Sequence, residues 1–122
     1  MITDQRSLKI VVAEDDDLIG ELLAEMLTGM GHVVCAIEST ETGTVAAARQ
    51  FQPDLLIVDM QLSPGSGIDA VTLIVQTQDI PHILVSGNIA RLRELRPDVI
   101  VLEKPYTQAS LGLAIRRASE RV

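Results

Sequence analysis

LKIVVAEDDDLIGELLAEML, residues 8–27, carries the reading of the fold. An apolar run from Leu8 to Ala13 stops at four consecutive acids, Glu14 to Asp17. A second pattern follows at once. Leu18, Ile19, Leu22, Leu23, Met26, Leu27 and Met30 recur at the spacing of one helix face. Gly29 and Gly31 offer the stop. The unit is a buried strand, an acidic turn and an amphipathic helix.

The alternation repeats down the chain. Runs rich in Val and Ile follow at His32–Ile37, Asp54–Val58, His82–Val85 and Val99–Leu102. Several are continuously apolar, as parallel strands covered on both faces are. Between them, a second helix starts near Ser39 as N-cap, carries Val45, Ala46 and Ala48, and ends before Pro53. A third opens at Ser66 with Asp69 three residues on, a capping box, and presents Val71, Ile74 and Val75. A fourth, short, runs from Asn88 with Ile89, Leu92 and Leu95 as its face. A fifth takes Thr107 as N-cap and buries Leu111, Ala114, Ile115 and Ala118. Five alternations predict a doubly wound α/β domain on a five-stranded parallel sheet, with right-handed crossovers.

Composition agrees and excludes some partners. A chain of 122 residues suits one domain, and 47% apolar residues can fill a core. That core is aliphatic, because Phe51 and Tyr106 are the only aromatics. A net charge of −7 argues against bulk attraction to nucleic acid or to an anionic membrane. The charge is uneven: residues 1–87 hold thirteen acids and three bases, residues 88–122 four acids and seven bases. Cys35 is the only cysteine, which rules out an intrachain disulfide, and it is expected to be a small buried apolar residue. No apolar stretch has the length to span a bilayer, and the N-terminus lacks the apolar centre of a secretion signal, so the expected compartment is the cytoplasm.

In open sheets of this kind ligands bind at the carboxyl ends of the strands. The first run delivers Glu14 and Asp15 there, the third Asp59, the fourth Ser86 and the fifth Lys104. Two carboxylates 4 Å apart repel by about 4 kcal/mol at an effective dielectric near 20. Three in one pocket call for a cation, and an oxygen-only donor set suits Mg²⁺. Asp16 and Asp17 differ in role, starting the helix and complementing its dipole. A carboxylate is also a covalent nucleophile toward phosphorus. Asp59 fits that part, with Lys104 and Ser86 on the phosphoryl oxygens and the backbone N–H groups of Met60 and Gly87 as further donors.

These segments resemble the receiver domains of bacterial two-component response regulators. VVAEDD is similar to the family's acidic pair, DLLIVDMQLSPGSGID to its phosphoacceptor segment, LVSG to its hydroxyl turn and EKPY to its lysine–proline turn. The resemblance spans essentially the whole chain. It implies a (βα)5, flavodoxin-like fold with strand order 2-1-3-4-5, and a single receiver domain over residues 1–122 with no output domain. It implies phosphorylation of Asp59 by a sensor histidine kinase or histidine phosphotransfer protein. Mg²⁺ would be held by Glu14, Asp15, Asp59 and the backbone carbonyl of Gln61. Lys104–Pro105 would be a cis peptide. The domain would assist its own phosphorylation and dephosphorylation rather than act as an enzyme. A downstream protein would dock on the face of the fourth helix, fifth strand and fifth helix, with no direct contact to nucleic acid or membrane.

The sequence also departs from the family. Val101 stands where receivers often carry an aromatic, three residues before the lysine. Seventeen residues separate Ser86 from Lys104, fewer than in most receivers, which implies an atypical subgroup with a short fourth helix.

Other readings carry less. Asp15, Asp17 and Gly20 match a calcium loop, but Ile19 and Met26 fall on ligand positions and break it. A haloacid-dehalogenase-type phosphatase wants a second acid where Gln61 stands. A receiver-like interaction module that is never phosphorylated stays open because of Val101. His32 and His82 are read as structural or exposed. Arg91, Arg93, Arg96, Arg116, Arg117 and Arg121 form either a solvated rim or a docking face.

Overall fold

The computed structural model describes residues 6–120 and alternates strand and helix from end to end. The elements are β1 (Lys9–Ala13), α1 (Asp17–Gly29), β2 (Val33–Glu38), α2 (Glu41–Phe51), β3 (Leu55–Asp59), α3 (Gly67–Val75), β4 (His82–Ser86), α4 (Ile89–Leu95), β5 (Ile100–Glu103) and α5 (Gln108–Ser119). All strand pairs are parallel, in the order β2-β1-β3-β4-β5. This is the doubly wound, flavodoxin-like arrangement expected.

Alternation along the central strands divides the core in two. Ile10, Val12, Leu55, Ile57 and Ile83 point to the layer of α1 and α5, where Leu23, Leu27, Leu111 and Ile115 meet them. Val11, Ala13, Leu56, Val58 and Leu84 point to α2, α3 and α4, against Val45, Ala48, Val71, Ile74 and Leu92. Each fully buried aliphatic side chain stabilises by about 1.5–3 kcal/mol, so the two layers hold the sheet on both faces.

Four strands begin one residue later than their apolar runs, and at two of them a side chain explains it. Asp54 ends the approach to β3 by accepting the Lys9 N–H on Oδ2 at 2.8 Å while donating its own N–H to Lys9 O. His32 accepts the Leu8 N–H on Nδ1 at 3.1 Å. Strands β2 to β5 also run one residue further than their apolar character. Asp59 and Ser86 are therefore the last residues of β3 and β4, inside the ladder.

Several helix expectations need correction. Thr40, not Ser39, caps α2, its Oγ1 accepting the Gly43 N–H. On α2 it is Ala47, not Ala46, that is buried. Leu18 and Leu22 on α1, Val75 on α3 and Leu95 on α4 are exposed, because each helix meets the sheet along a stripe narrower than its full apolar spread. Cys35 is only partly buried, because β2 is an edge strand. Ser66 does cap α3 through the Asp69 N–H, whereas a reciprocal capping box is formed by Thr107 and Ser110 at α5. Asp16 caps α1, accepting from the amides of Leu18 and Ile19. Among the described residues no helix is long and apolar enough to cross a membrane.

Candidate functional site

Ladder register brings the strand ends together. Ala13 pairs with Val58, Asp59 with Val85, and Ser86 with Glu103. Glu14 and Asp59 therefore emerge level with each other, Ser86 one residue higher and Lys104 two. The first three are buried, each no more than 5% exposed. Lys104 is held alongside by its N–H, which donates to Ser86 O at 2.9 Å, and the Lys104–Pro105 bond that follows is cis.

The Lys104 ammonium lies against Asp59 Oδ2 and 3.6 Å from Glu14 Oε1. The contact with Oδ2 is an ion pair, and that oxygen has no further hydrogen-bond partner among the described residues. Asp59 Oδ1 accepts the Gln61 N–H at 2.8 Å, and Glu14 Oε2 accepts the Asp16 N–H at 3.1 Å. Ser86 Oγ accepts the Asn88 N–H at 2.9 Å, which aims the hydroxyl into the turn after β4.

Charge in this pocket is only partly balanced. Burial pushes the Glu14 carboxyl up to about 7; the Asp16 amide draws it down, Asp59 adds to the rise, and Lys104 opposes it. Burial tends to lower the Lys104 pKa, but the two carboxylates, Asp59 foremost, outweigh it and the net shift is upward. One ammonium thus serves two buried acids. Tyr106, half-buried two residues beyond Lys104, feels the same field: burial raises its phenol, Glu14 and Asp59 add to that, and Lys104 opposes. It is the only tyrosine and there is no tryptophan, so it can be titrated cleanly. Asp59→Asn is expected to move the Tyr106 phenol downward in a spectrophotometric titration. An unchanged titration would mean that Asp59 carries no charge near it.

One expectation for the site is revised. The Met60 N–H is not available, because it donates to Val85 O at 2.9 Å as a rung between β3 and β4. The amide turned toward Asp59 is that of Gln61. Asp15 is exposed, and among the described residues no three His, Cys, Asp or Glu side chains form a preassembled metal cluster. Glu14 and Asp59 come together and Asp15 stands outward next to them. The donor chemistry still fits a hard divalent cation: all-oxygen, two buried carboxylates with more negative charge than Lys104 balances, and a third carboxylate one residue away. Gly87 is exposed, with open space where a side chain would be.

Sequence reasoning missed what holds the turn after Asp59. Gly67 begins α3 with its N–H on Met60 O, and a Cβ there would overlap the Asp59 carbonyl oxygen. Gly65 has φ +99, and a Cβ there would strike the Cβ of Glu41. The two glycines of PGSG, residues 64–67, were the available signal. The Ser63–Pro64 bond is also cis.

A five-stranded parallel sheet with two acids, an aspartate, a hydroxyl and a lysine–proline turn at its carboxyl edge defines a receiver-type doubly wound α/β domain. The chain belongs to the response regulator receiver domain family, whose model matches residues 10–115. It is 32% identical over 114 residues to the phyllosphere-induced regulator PhyR of Methylorubrum extorquens, covering 90% of this chain and 43% of that protein. It is 32% identical over 120 residues to the KDP operon transcriptional regulatory protein KdpE of Escherichia coli, covering 90% and 52%. Among solved structures, the response regulator PhyR from Brucella abortus superimposes with a TM-score of 0.86 at 29% identity, over 93% of this chain and 48% of that one. The receiver domain of PhyR from Erythrobacter litoralis gives 0.84 at 30% identity, over 92% and 89%. The chain thus spans about half the length of these curated relatives, and nearly the whole of the isolated receiver domain.

Proposed function

We propose that the chain is a phosphoacceptor in a two-component phosphorelay, with Asp59 as the acceptor. The observation that carries this reading is the buried Asp59 carboxylate at the end of β3, with the Lys104 ammonium against one oxygen and the Gln61 amide on the other. An Asp59 oxygen attacks the phosphorus of a phosphohistidine on a kinase or phosphotransfer protein. The O–P bond forms, the P–N bond breaks, and the imidazole leaves. Lys104 balances charge on the phosphoryl oxygens, Ser86 donates to one of them, and the Gly87 N–H supplies a further donor. Mg²⁺, held by Glu14, Asp15, Asp59 and the Gln61 carbonyl, would when bound supply positive charge beside the phosphoryl oxygens. The product hydrolyses with the help of the same residues, so the domain is a switch rather than a turnover enzyme.

The aspartyl phosphate adds a charge of about −1.5 to −2 at neutral pH, which biases a two-state surface. Ser86 is the group placed to respond, since its hydroxyl now serves only the Asn88 amide. A protein partner on α4, β5 and α5 fits the exposed Arg91, Arg93, Arg116 and Arg117 there; Arg121 lies outside the described residues. One relative supports a protein rather than nucleic acid as the target: PhyR from Bartonella quintana is an anti-anti-sigma factor and has been solved in complex with the anti-sigma factor NepR. A cytoplasmic location is consistent with both kinds of partner.

The test is intact mass after incubation with a small acyl phosphate and Mg²⁺. A single phosphoryl adduct is expected on the wild type and none on Asp59→Asn. No adduct on either, with the fold intact, leaves an interaction module; steady release of phosphate from many esters points to a phosphatase.

A further inference from the structure

We propose that Glu41, at the start of α2, is a positioning residue for phosphoryl transfer at Asp59. The proposal rests on the phosphoacceptor reading above. The turn between β3 and α3 supplies the Gln61 amide that holds Asp59 Oδ1. Within the turn, the Gln61–Ser66 bridge, the Gly67 N–H on Met60 O and the buried Leu62 tie its two sides, but most of its residues are exposed. It is also fixed from outside, by the segment between β2 and α2. Ser63 N–H donates to Ser39 O at 3.3 Å, and Glu41 N–H donates to Pro64 O at 3.1 Å. Ser66 N–H donates to Glu41 Oε1 at 3.1 Å.

The last of these bonds is the one made by a side chain, and it acts at the residue that matters. Ser66 is the antiparallel bridge partner of Gln61 across the turn. The connection runs from the Glu41 carboxylate to the Ser66 amide, across the bridge to Gln61, and from the Gln61 amide to Asp59. Gly65 is shaped around it, since its φ of +99 and missing Cβ leave room for the Glu41 stem. Charge alone does not require this bond. A glutamate in the first turn of a helix is already favourable, so a residue serving only α2 could point its carboxylate into solvent. Glu41 instead spends an oxygen on another segment.

Two substitutions separate the roles. Glu41→Asp keeps the charge at the α2 N-terminus but is one methylene too short to reach Ser66. Glu41→Gln removes the charge but keeps the accepting oxygen. With acetyl phosphate and Mg²⁺, Glu41→Asp is expected to slow the maximal rate of Asp59 phosphorylation by about tenfold, the scale of a displaced reacting group. Glu41→Gln should stay within about twofold of wild type. Hydrogen exchange at the Gln61 amide should quicken by about tenfold in Glu41→Asp and not in Glu41→Gln, since local opening sets that rate. A merely structural Glu41 predicts the reverse order, with the charge-preserving variant the milder one, and that result overturns the proposal. If wild type takes no phosphoryl group, the phosphoacceptor reading fails, while exchange at Gln61 still decides whether Glu41 fixes the turn. Should Glu41→Asp not fold, Gly65→Ala attacks the same contact from the other side. It must quicken Gln61 exchange, and unchanged exchange there also overturns the proposal.

Discussion

Gly67→Ala is expected to lower the melting temperature by roughly 10 °C and to slow phosphoryl uptake at Asp59 by about tenfold or more. Helix propensity alone predicts the opposite, because alanine gains about 1 kcal/mol over glycine inside a helix. Space decides against it. The added Cβ would overlap the Asp59 carbonyl oxygen and lie 2.8 Å from its carbonyl carbon and 2.9 Å from Val58 Cγ1. Overpacking costs about 1–3 kcal/mol even where side chains can rotate away. A carbonyl inside a central strand cannot rotate, so relief must come from moving α3 or the end of β3. Either shift displaces the aspartate from Lys104. Gly29→Ala, at the end of α1, is the control, because a Cβ there meets nothing within 4 Å. It should be neutral or stabilise by up to about 1 kcal/mol. If the two variants melt within about 2 °C of each other, the tight seat of α3 on Asp59 is not real.

How much of this was legible follows from which signals are local. The three central strands were readable because a parallel strand buried on both faces must be continuously apolar, as LLIV at 55–58 is. Glu14, Asp59, Ser86 and Lys104 were readable because they follow the apolar runs at the carboxyl end, where ligands bind in such sheets. The side chains left exposed, Leu18, Leu22, Val75 and Leu95, were not readable, since periodicity gives a face but not the width of its contact. That Asp15 is exposed while Glu14 is buried was not readable either, because the end of a strand is only fixed by its ladder. The Met60 amide was misassigned for a related reason, because its partner Val85 is set by the register of β3 on β4. Glu41 lies far from Asp59 in sequence, and only folding brings the α2 start against the turn at 61–66.

Lys104→Met should show the other large effect, and its dependence on pH identifies the cause. Methionine keeps an unbranched stem, so packing changes little, but the sole ammonium between Glu14 and Asp59 is gone. Phosphoryl uptake should fall by about 10²–10³-fold, as when a charge-stabilising donor is removed from a buried site. The stability change follows from linkage. Glu14 has its folded pKa raised from 4.5 to about 7. Between those values the folded chain holds more protons than the unfolded one, so stability from this group is fully present below 4.5 and is lost as pH rises through about 7. Lys104 is one of the influences holding Glu14 down, so its removal extends that loss to higher pH. Melting curves should therefore show a variant little weaker than wild type at about pH 5 and weaker by about 1–3 kcal/mol at about pH 8, a value discounted because the lysine is partly exposed. Mg²⁺ added at the higher pH should recover part of the difference if the two carboxylates hold it, since a ligand that binds only the folded chain raises its stability. A deficit of equal size at both pH values would mean that Lys104 serves the turn around Pro105 and not the acids, and the charge balance assigned to the site would fall with it.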